Sequence, residues 1–289
     1  MAAIDRMSAT ERLADGFAFL ESPRWHEGRL WAVDLYAQQV LCFDRDAKVE
    51  TRLAVPGTPT GLGWLPDGRL LVATRERRIL HCGDAWTEFA DLTSFGPAPL
   101  NELTVTASGD VYVGVFGLAT GALLHVGVDG SVRVAAEQLL LPNGQGLIDQ
   151  GETLLVAESA GQRLTALTID PDGSLTNRRV WARFGDPATA KTLPEVVRQV
   201  ARWVDGIAAD PTGAVWVADP FGQQAFRTAL GGEITHRVST SPLGCYACAL
   251  ADDGTLYLCA GPPGEDEATR RRDRTGTLLR AQSHPSALN

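Results

Sequence analysis

Apolar and polar positions along the chain fall into a pattern that repeats six times. A short apolar run leads into a Gly-containing turn, and a strand-like stretch follows. The turns and the stretches after them read HEGRLWAVD, PDGRLLVAT, SGDVYVGV, QGETLLVAE, PTGAVWVAD and DDGTLYLCA. Their glycines are Gly28, Gly68, Gly109, Gly151, Gly213 and Gly254, spaced by 40, 41, 42, 62 and 41 residues. Strand–turn–strand units at a period near forty predict a β-propeller with one four-stranded sheet per repeat. In the second repeat TGLGWL, RLLVAT, RRILHC and WTEFADL are the four strands from inside to outside. Polar–apolar alternation is loose in the inner strands, as expected where both faces are buried.

The ends of the chain predict how the ring closes. The last repeat stops at its third strand, GTLLRAQ, while ATERLADGFAF near the N-terminus resembles the outer strands of the other repeats. The N-terminal strand is therefore expected to complete the last blade and leave no open sheet edge there. The expected fold is all-β, a six-bladed propeller forming one domain over residues 1–289. Two segments interrupt the period. Residues 182–203 include most of LPEVVRQVARWV, which ends at Val204 and has apolar residues at helical spacing, and are expected to hang over a channel mouth as an insertion or lid. GPPGEDEATRRRDRTG, in the last blade, reads as a solvated loop of mixed charge.

Equivalent positions in a ring share radius and height. The residue opening each inner strand is Glu21, Thr60, Asn101, Asn143, Asp205 or Tyr246. These six are expected to converge at one mouth of the channel. Glu21, Asn143 and Asp205 offer oxygen ligands with two negative charges, and the ring holds no His or Cys. Hard oxygen donors point to one divalent cation, Ca²⁺ first, with Mg²⁺, Mn²⁺ or Zn²⁺ behind it. So few protein ligands leave coordination positions open, as a catalytic metal site requires. Thr60 and Tyr246 complete the ring as substrate-facing positions. Further from the axis lie Asp34, Thr74, Val115, Glu158, Asp219 and Ala260; of these, Glu158 and Asp219 are expected to hold the ligands in place.

Composition narrows the partners. The 289 residues carry a formal net charge of −9 and a pI near 5.1. No basic stripe is present, which argues against nucleic acid. No segment has the length or apolarity of a membrane span, and the N-terminal residues lack the apolar core of a signal peptide. Five cysteines without a disulfide spacing suggest a cytoplasmic protein with reduced thiols. Cys245 and Cys248 form a C-x-x-C, but strand alternation would put their side chains on opposite faces. The expected partner is a small-molecule substrate, and nothing in the pattern fixes an oligomeric state.

Four segments carry a family resemblance. ESPRWHEGRLWAVD, PLNELTVTASGDVYVG, LPNGQGLIDQGETLLVAES and VDGIAADPTGAVWVAD occur in the order in which similar motifs occur in the senescence marker protein/gluconolactonase group of six-bladed propellers. The resemblance implies a bound divalent cation held by Glu21, Asn143 and Asp205. It also implies lactone or ester hydrolysis, with Asp205 as catalytic base and Asn101 contacting substrate and aiding the developing oxyanion. Two departures bear on specificity. Sugar-lactone members resemble R-x-N-D-G where this chain has Pro99-Leu100-Asn101-Glu102-Leu103. They place glutamate where this chain has Val115-Phe116-Gly117-Leu118. Val115, Phe116 and Leu118 therefore predict an apolar substrate pocket and a lactone or ester less polar than gluconolactone. The alternatives are a metal-assisted isomerase, lyase or carbon–carbon bond-forming enzyme on a natural product, and a non-catalytic metal-binding regulatory propeller.

Overall fold

A computed structural model describes residues 7–283. His284 and the first six residues, part of the segment assessed above for a signal peptide, lie outside the described residues. The fold is a six-bladed β-propeller of six sheets, each with its four blade strands in antiparallel order. The chain divides into two compact units of three blades each. One comprises Met1–Ala54 with Asp205–Asn289, and the other Val55–Val204.

In the first unit, one blade is built from Leu20–His26, Arg29–Asp34, Gln39–Phe43 and Val49–Ala54. The blade after Asp205 runs from Ile207–Ala209 through Val215–Asp219 and Gln224–Thr228 to Ile234–Ser239. The last blade takes Gly244–Leu250, Thr255–Gly261 and Gly276–Gln282 from the C-terminal part of the chain. Its fourth strand is Glu11–Phe17, antiparallel to Gly276–Gln282. The N-terminal strand thus closes the last blade. Phe17 drives this pairing by burying its ring among Leu20, Leu30, Phe43 and Leu278. A two-residue strand, Met7–Ser8, also pairs in parallel with Ile234–Ser239 at the edge of the neighbouring blade; the repeat pattern gave no sign of it.

In the second unit the innermost strands are Pro59–Trp64, Leu100–Val105 and Pro142–Ile148. Their blades pack through two apolar layers, one around Leu71, Leu103, Val113 and Val126, the other around Tyr112, Leu123, Leu154 and Leu167. The insertion carries a short helix, α1 (Leu193–Gln199), with Pro194 in its first turn. Val196 and Trp203 bury against Leu141 and Ala160, and Phe116, Leu118, Val197 and Val200 pack around them. The helical spacing read from the sequence is this apolar face.

The charged segment of the last blade is not a solvated loop. It contains α2 (Glu267–Asp273), capped by Asp266, whose Oδ1 accepts from the Thr269 N–H at 2.8 Å. Arg270 is 3% exposed, with its guanidinium 4.0 Å from the Phe19 ring centroid and 4.9 Å from that of Tyr246. Counting charges missed this, because one arginine of the run points inward onto aromatic faces. Among the described residues, no helix is long and apolar enough to cross a membrane.

Candidate active site

Four of the six ring residues, Thr60, Asn101, Asn143 and Tyr246, sit inside a break in the strand register, and Glu21 is the last paired residue before one, opposite Val33. The breaks fall between Glu21 and Arg24, Pro59 and Gly61, Leu100 and Leu103, Pro142 and Gln145, and Cys245 and Ala247. A bulge inserts an unpaired residue and re-aims its side chain out of the pleat. Thr60, Asn101, Asn143 and Tyr246 are thereby released from the alternation that governs their neighbours, while at Glu21 the unpaired residues are Ser22 and Pro23, which follow it. Asp205 lies just before its strand, its N–H donating to the Ala218 carbonyl at 3.0 Å. The bulge at Tyr246 also corrects the reading of the C-x-x-C. Cys245 and Cys248 fall on the same face, in one apolar cluster with Trp216 and Leu258, while Ala247 and Cys259 face the other way. Burial pushes both thiols up, Cys248 to about 12, so they stay protonated and inert.

In the second unit a hydrogen-bonded chain links the ring residues. Thr60 Oγ1 donates to the Asn101 carbonyl at 2.9 Å. Asn101 Nδ2 donates to the Pro142 carbonyl at 3.3 Å and to Asn143 Oδ1 at 3.2 Å. Asn143 Nδ2 donates to Ser159 Oγ at 3.3 Å, and Ser159 donates to the Val204 carbonyl at 2.6 Å. Both amide hydrogens of Asn101 are thus committed to the protein. Its free face is the amide oxygen, an acceptor, which gives no support to the oxyanion role expected from sequence.

In the first unit Asp205 is 5% exposed and Tyr246 8% exposed. Burial raises the Tyr246 phenol, Arg270 opposes the rise, and Asp205 and Glu21 add to it. Both carboxylates also act on Cys245, so both lie in the field of the strand that opens at Tyr246. Arg270 Nη2 donates to Tyr246 Oη at 2.8 Å, and Tyr246 donates to the Pro262 carbonyl at 3.1 Å. Phe19 meets Tyr246 edge-on at 4.8 Å and stacks on Tyr36 at 5.5 Å.

The outer set has mixed duties. Asp34 accepts from the Ala18 and Phe19 N–H groups at 3.1 and 2.8 Å and so fixes the approach to Glu21. Glu158 does the same for Asn143 by accepting from the Leu140 N–H at 2.7 Å. Burial alone would raise the Glu158 carboxyl, but hydrogen bonds from Arg163, Thr165 and Leu140 outweigh it and hold it below the usual range. Asp219 braces its own turn, accepting from the Gly222 N–H at 3.0 Å and from Gln224 Nε2 at 3.3 Å. Val115 is in the core layer with Leu103 and Val113, and Phe116 and Leu118 lie half-buried against the insertion. The sequence reading missed Ser159, Arg270 and Phe19. Ser159 directly follows Glu158, and that adjacency was its only signal.

Among the described residues, no three His, Cys, Asp or Glu side chains gather as a metal centre would. The donor set read from sequence holds only two such residues, Glu21 and Asp205, and completes itself with amide oxygen. That chemistry fits a hard divalent cation. The Asn143 amide supports the fit, because its nitrogen faces Ser159 and its oxygen is turned away from it.

Oxygen-bearing side chains set in inner-strand bulges of a six-bladed propeller define the class of protein. Residues 19–261 match the family described as SMP-30/Gluconolactonase/LRE-like region, and the chain belongs to that family. L-arabinolactonase of Azospirillum brasilense is 26% identical over 215 residues, covering 71% of this chain and 66% of that protein, just under two thirds of its length. Among solved structures, the calcium-binding protein regucalcin from Agrobacterium tumefaciens superposes with a TM-score of 0.77 at 18% identity, covering 97% of this chain and 98% of that one. A gluconolactonase from Xanthomonas campestris gives 0.71 at 20% identity, covering 94% and 89%. At these identities the structural likeness shows the shared fold.

Proposed function

We propose that the protein is a divalent-metal-dependent hydrolase of a lactone or related ester, with a substrate less polar than gluconolactone. The observation that carries the reading is the family match over residues 19–261, a span that includes Glu21, Asn143 and Asp205. The reading takes residues 1–289 as one propeller domain and places it in the cytoplasm with free thiols. Glu21, Asn143 and Asp205 would hold the cation, Ca²⁺ first. When bound, such a cation polarises an ester carbonyl and lowers the pKa of water.

The chain's own residues do the rest. Asp205 orients the attacking water and accepts its proton as the water oxygen bonds to the carbonyl carbon. The ring C–O bond then breaks, and the leaving oxygen takes up a proton to give the hydroxy acid. Asn101, with both hydrogens committed, meets the substrate as an acceptor. Thr60 supports Asn101 by donating to its carbonyl. Tyr246, packed between Phe19 and Arg270, offers the substrate an aromatic edge. Phe116 and Leu118, with Val115 behind them, supply an apolar wall backed by the insertion. Pro99 offers no cation to a sugar hydroxyl.

A panel of sugar, alkyl and aryl lactones and simple esters, assayed on metal-stripped and Ca²⁺-reconstituted protein, tests the reading. Turnover is expected only with the cation, and faster for alkyl- or aryl-substituted lactones than for glucono-1,5-lactone. Protein that binds Ca²⁺ yet hydrolyses no member of the panel would overturn the hydrolase reading.

A further inference from the structure

We propose that Ser159 is a positioning residue whose hydroxyl fixes which end of the Asn143 amide is presented as a cation ligand. The inference rests on the reading of Asn143 as a ligand and goes beyond it to what makes that ligand competent.

An asparagine side chain is ambiguous. Its oxygen and nitrogen exchange places by a half-turn with almost no change of shape, and only the oxygen can ligate a cation. Hydrogen-bond partners must settle the choice. Ser159 is fully buried, at 0% exposure. Its Oγ lies 2.6 Å from the Val204 carbonyl oxygen and 3.3 Å from Asn143 Nδ2. A carbonyl only accepts, so the single hydroxyl hydrogen of Ser159 goes to Val204. What Oγ presents to Asn143 is a lone pair, and only the NH₂ end of the amide can bond to that. On the other side Asn101 Nδ2 donates to Asn143 Oδ1 at 3.2 Å.

A flipped amide would set oxygen against oxygen at Ser159 and donor against donor at Asn101. Both neighbours therefore enforce the same orientation. Asn101 occupies one lone pair of Oδ1 and leaves the second for a cation. The backbone fixes the lock itself, since the Ser159 N–H donates to the Leu141 carbonyl at 3.0 Å. Leu141 holds the left-handed conformation, φ 60°, in the turn that delivers Asn143. Val204 is also the residue before Asp205, so one hydroxyl ties the Asn143 amide to the peptide that leads into the proposed base.

The test is calorimetric Ca²⁺ titration of metal-stripped wild type, Asn143→Ala, Ser159→Ala, Asn143→Asp and the double variant Ser159→Ala/Asn143→Asp, with melting curves as a fold check. Removing a group that orients a ligand typically costs about 10–100-fold in metal affinity, and Ser159→Ala is expected to lose that much. A carboxylate has no wrong end, so in the Asn143→Asp background the same substitution should cost no more than a few-fold. Wild-type affinity in Ser159→Ala, or an equal loss in both backgrounds, overturns the proposal. Wild-type affinity in Asn143→Ala would instead overturn the reading of Asn143 as a ligand. If Ser159→Ala does not fold, the side-chain amide of Asn143 in ¹⁵N-labelled wild type decides, assigned by its disappearance in Asn143→Asp. Slow hydrogen exchange of that amide is expected, and exchange at the rate of a free amide refutes the lock.

Discussion

Phe17 is the apolar anchor of the strand that completes the last blade, and its truncation to alanine measures what that closure contributes. The side chain is 4% exposed and packs with Leu20, Leu30, Phe43, Tyr257 and Leu278. Its ring meets that of Phe43 edge-on, centroids 5.7 Å apart and planes at 77°. The strand approaches so closely that a Cβ on Gly276 would lie 2.7 Å from the Phe17 carbonyl oxygen, so the site has little freedom to collapse into a void. Phe→Ala at a buried site costs about 3–5 kcal/mol. Loss of the edge-to-face pair, worth about 0.5–1.5 kcal/mol beyond area, favours the upper end. That is a large fraction of the ~5–15 kcal/mol that holds a domain folded. Equilibrium urea unfolding followed by tryptophan fluorescence should show a much lower midpoint at an unchanged slope. Arg12→Ala in the same strand is the control. Its ion pair with Asp15 spans 3.5 Å between side chains 60% and 65% exposed, and such a pair is worth about 0–1 kcal/mol. Deleting residues 1–17 removes the whole strand and should abolish cooperative melting. A Phe17→Ala cost below about 1 kcal/mol, or a truncated protein that melts like the full chain, would refute the closure argument.

Three further outcomes are expected. Asp205→Asn should keep measurable Ca²⁺ binding while turnover falls by about 10²–10⁴-fold, the usual cost of losing a general base; near-normal turnover would remove Asp205 from that role. Phe116→Ala should shrink the ratio of kcat/KM for alkyl over sugar lactones, since apolar contact is worth about 25 cal/mol per Å², and an unchanged ratio would refute the apolar wall. Glu158→Gln should be less stable than wild type at pH 7, with the gap closing in acid. The Glu158 carboxyl is held below the usual range in the folded state, so its contribution is fully present above the unfolded value of about 4.3 and is lost as pH falls through the lower folded value. Urea midpoints at pH 7 and near pH 3 check this, and a gap of constant size would refute it.

The forty-residue period, the turn glycines and the missing fourth strand of the last repeat determined the propeller and its closure, because each is a local signal that a ring repeats. The same register singled out Glu21, Thr60, Asn101, Asn143, Asp205 and Tyr246. The release of Thr60, Asn101, Asn143 and Tyr246 from strand alternation was not legible. A bulge is a mismatch between two strands, and one strand read alone does not show it; this is why the pleat argument put Cys245 and Cys248 on opposite faces. Nor could charge counting find Arg270, whose inward course depends on Phe19 and Tyr246 arriving from distant parts of the chain. The Asn143 lock depends in the same way on tertiary neighbours. Asn101, Asn143, Ser159 and Val204 are scattered over a hundred residues of sequence, and hydrogen bonds act only at the few ångströms that folding brings about. Sequence set which residues open the inner strands, and tertiary packing decided which atoms of them face outward.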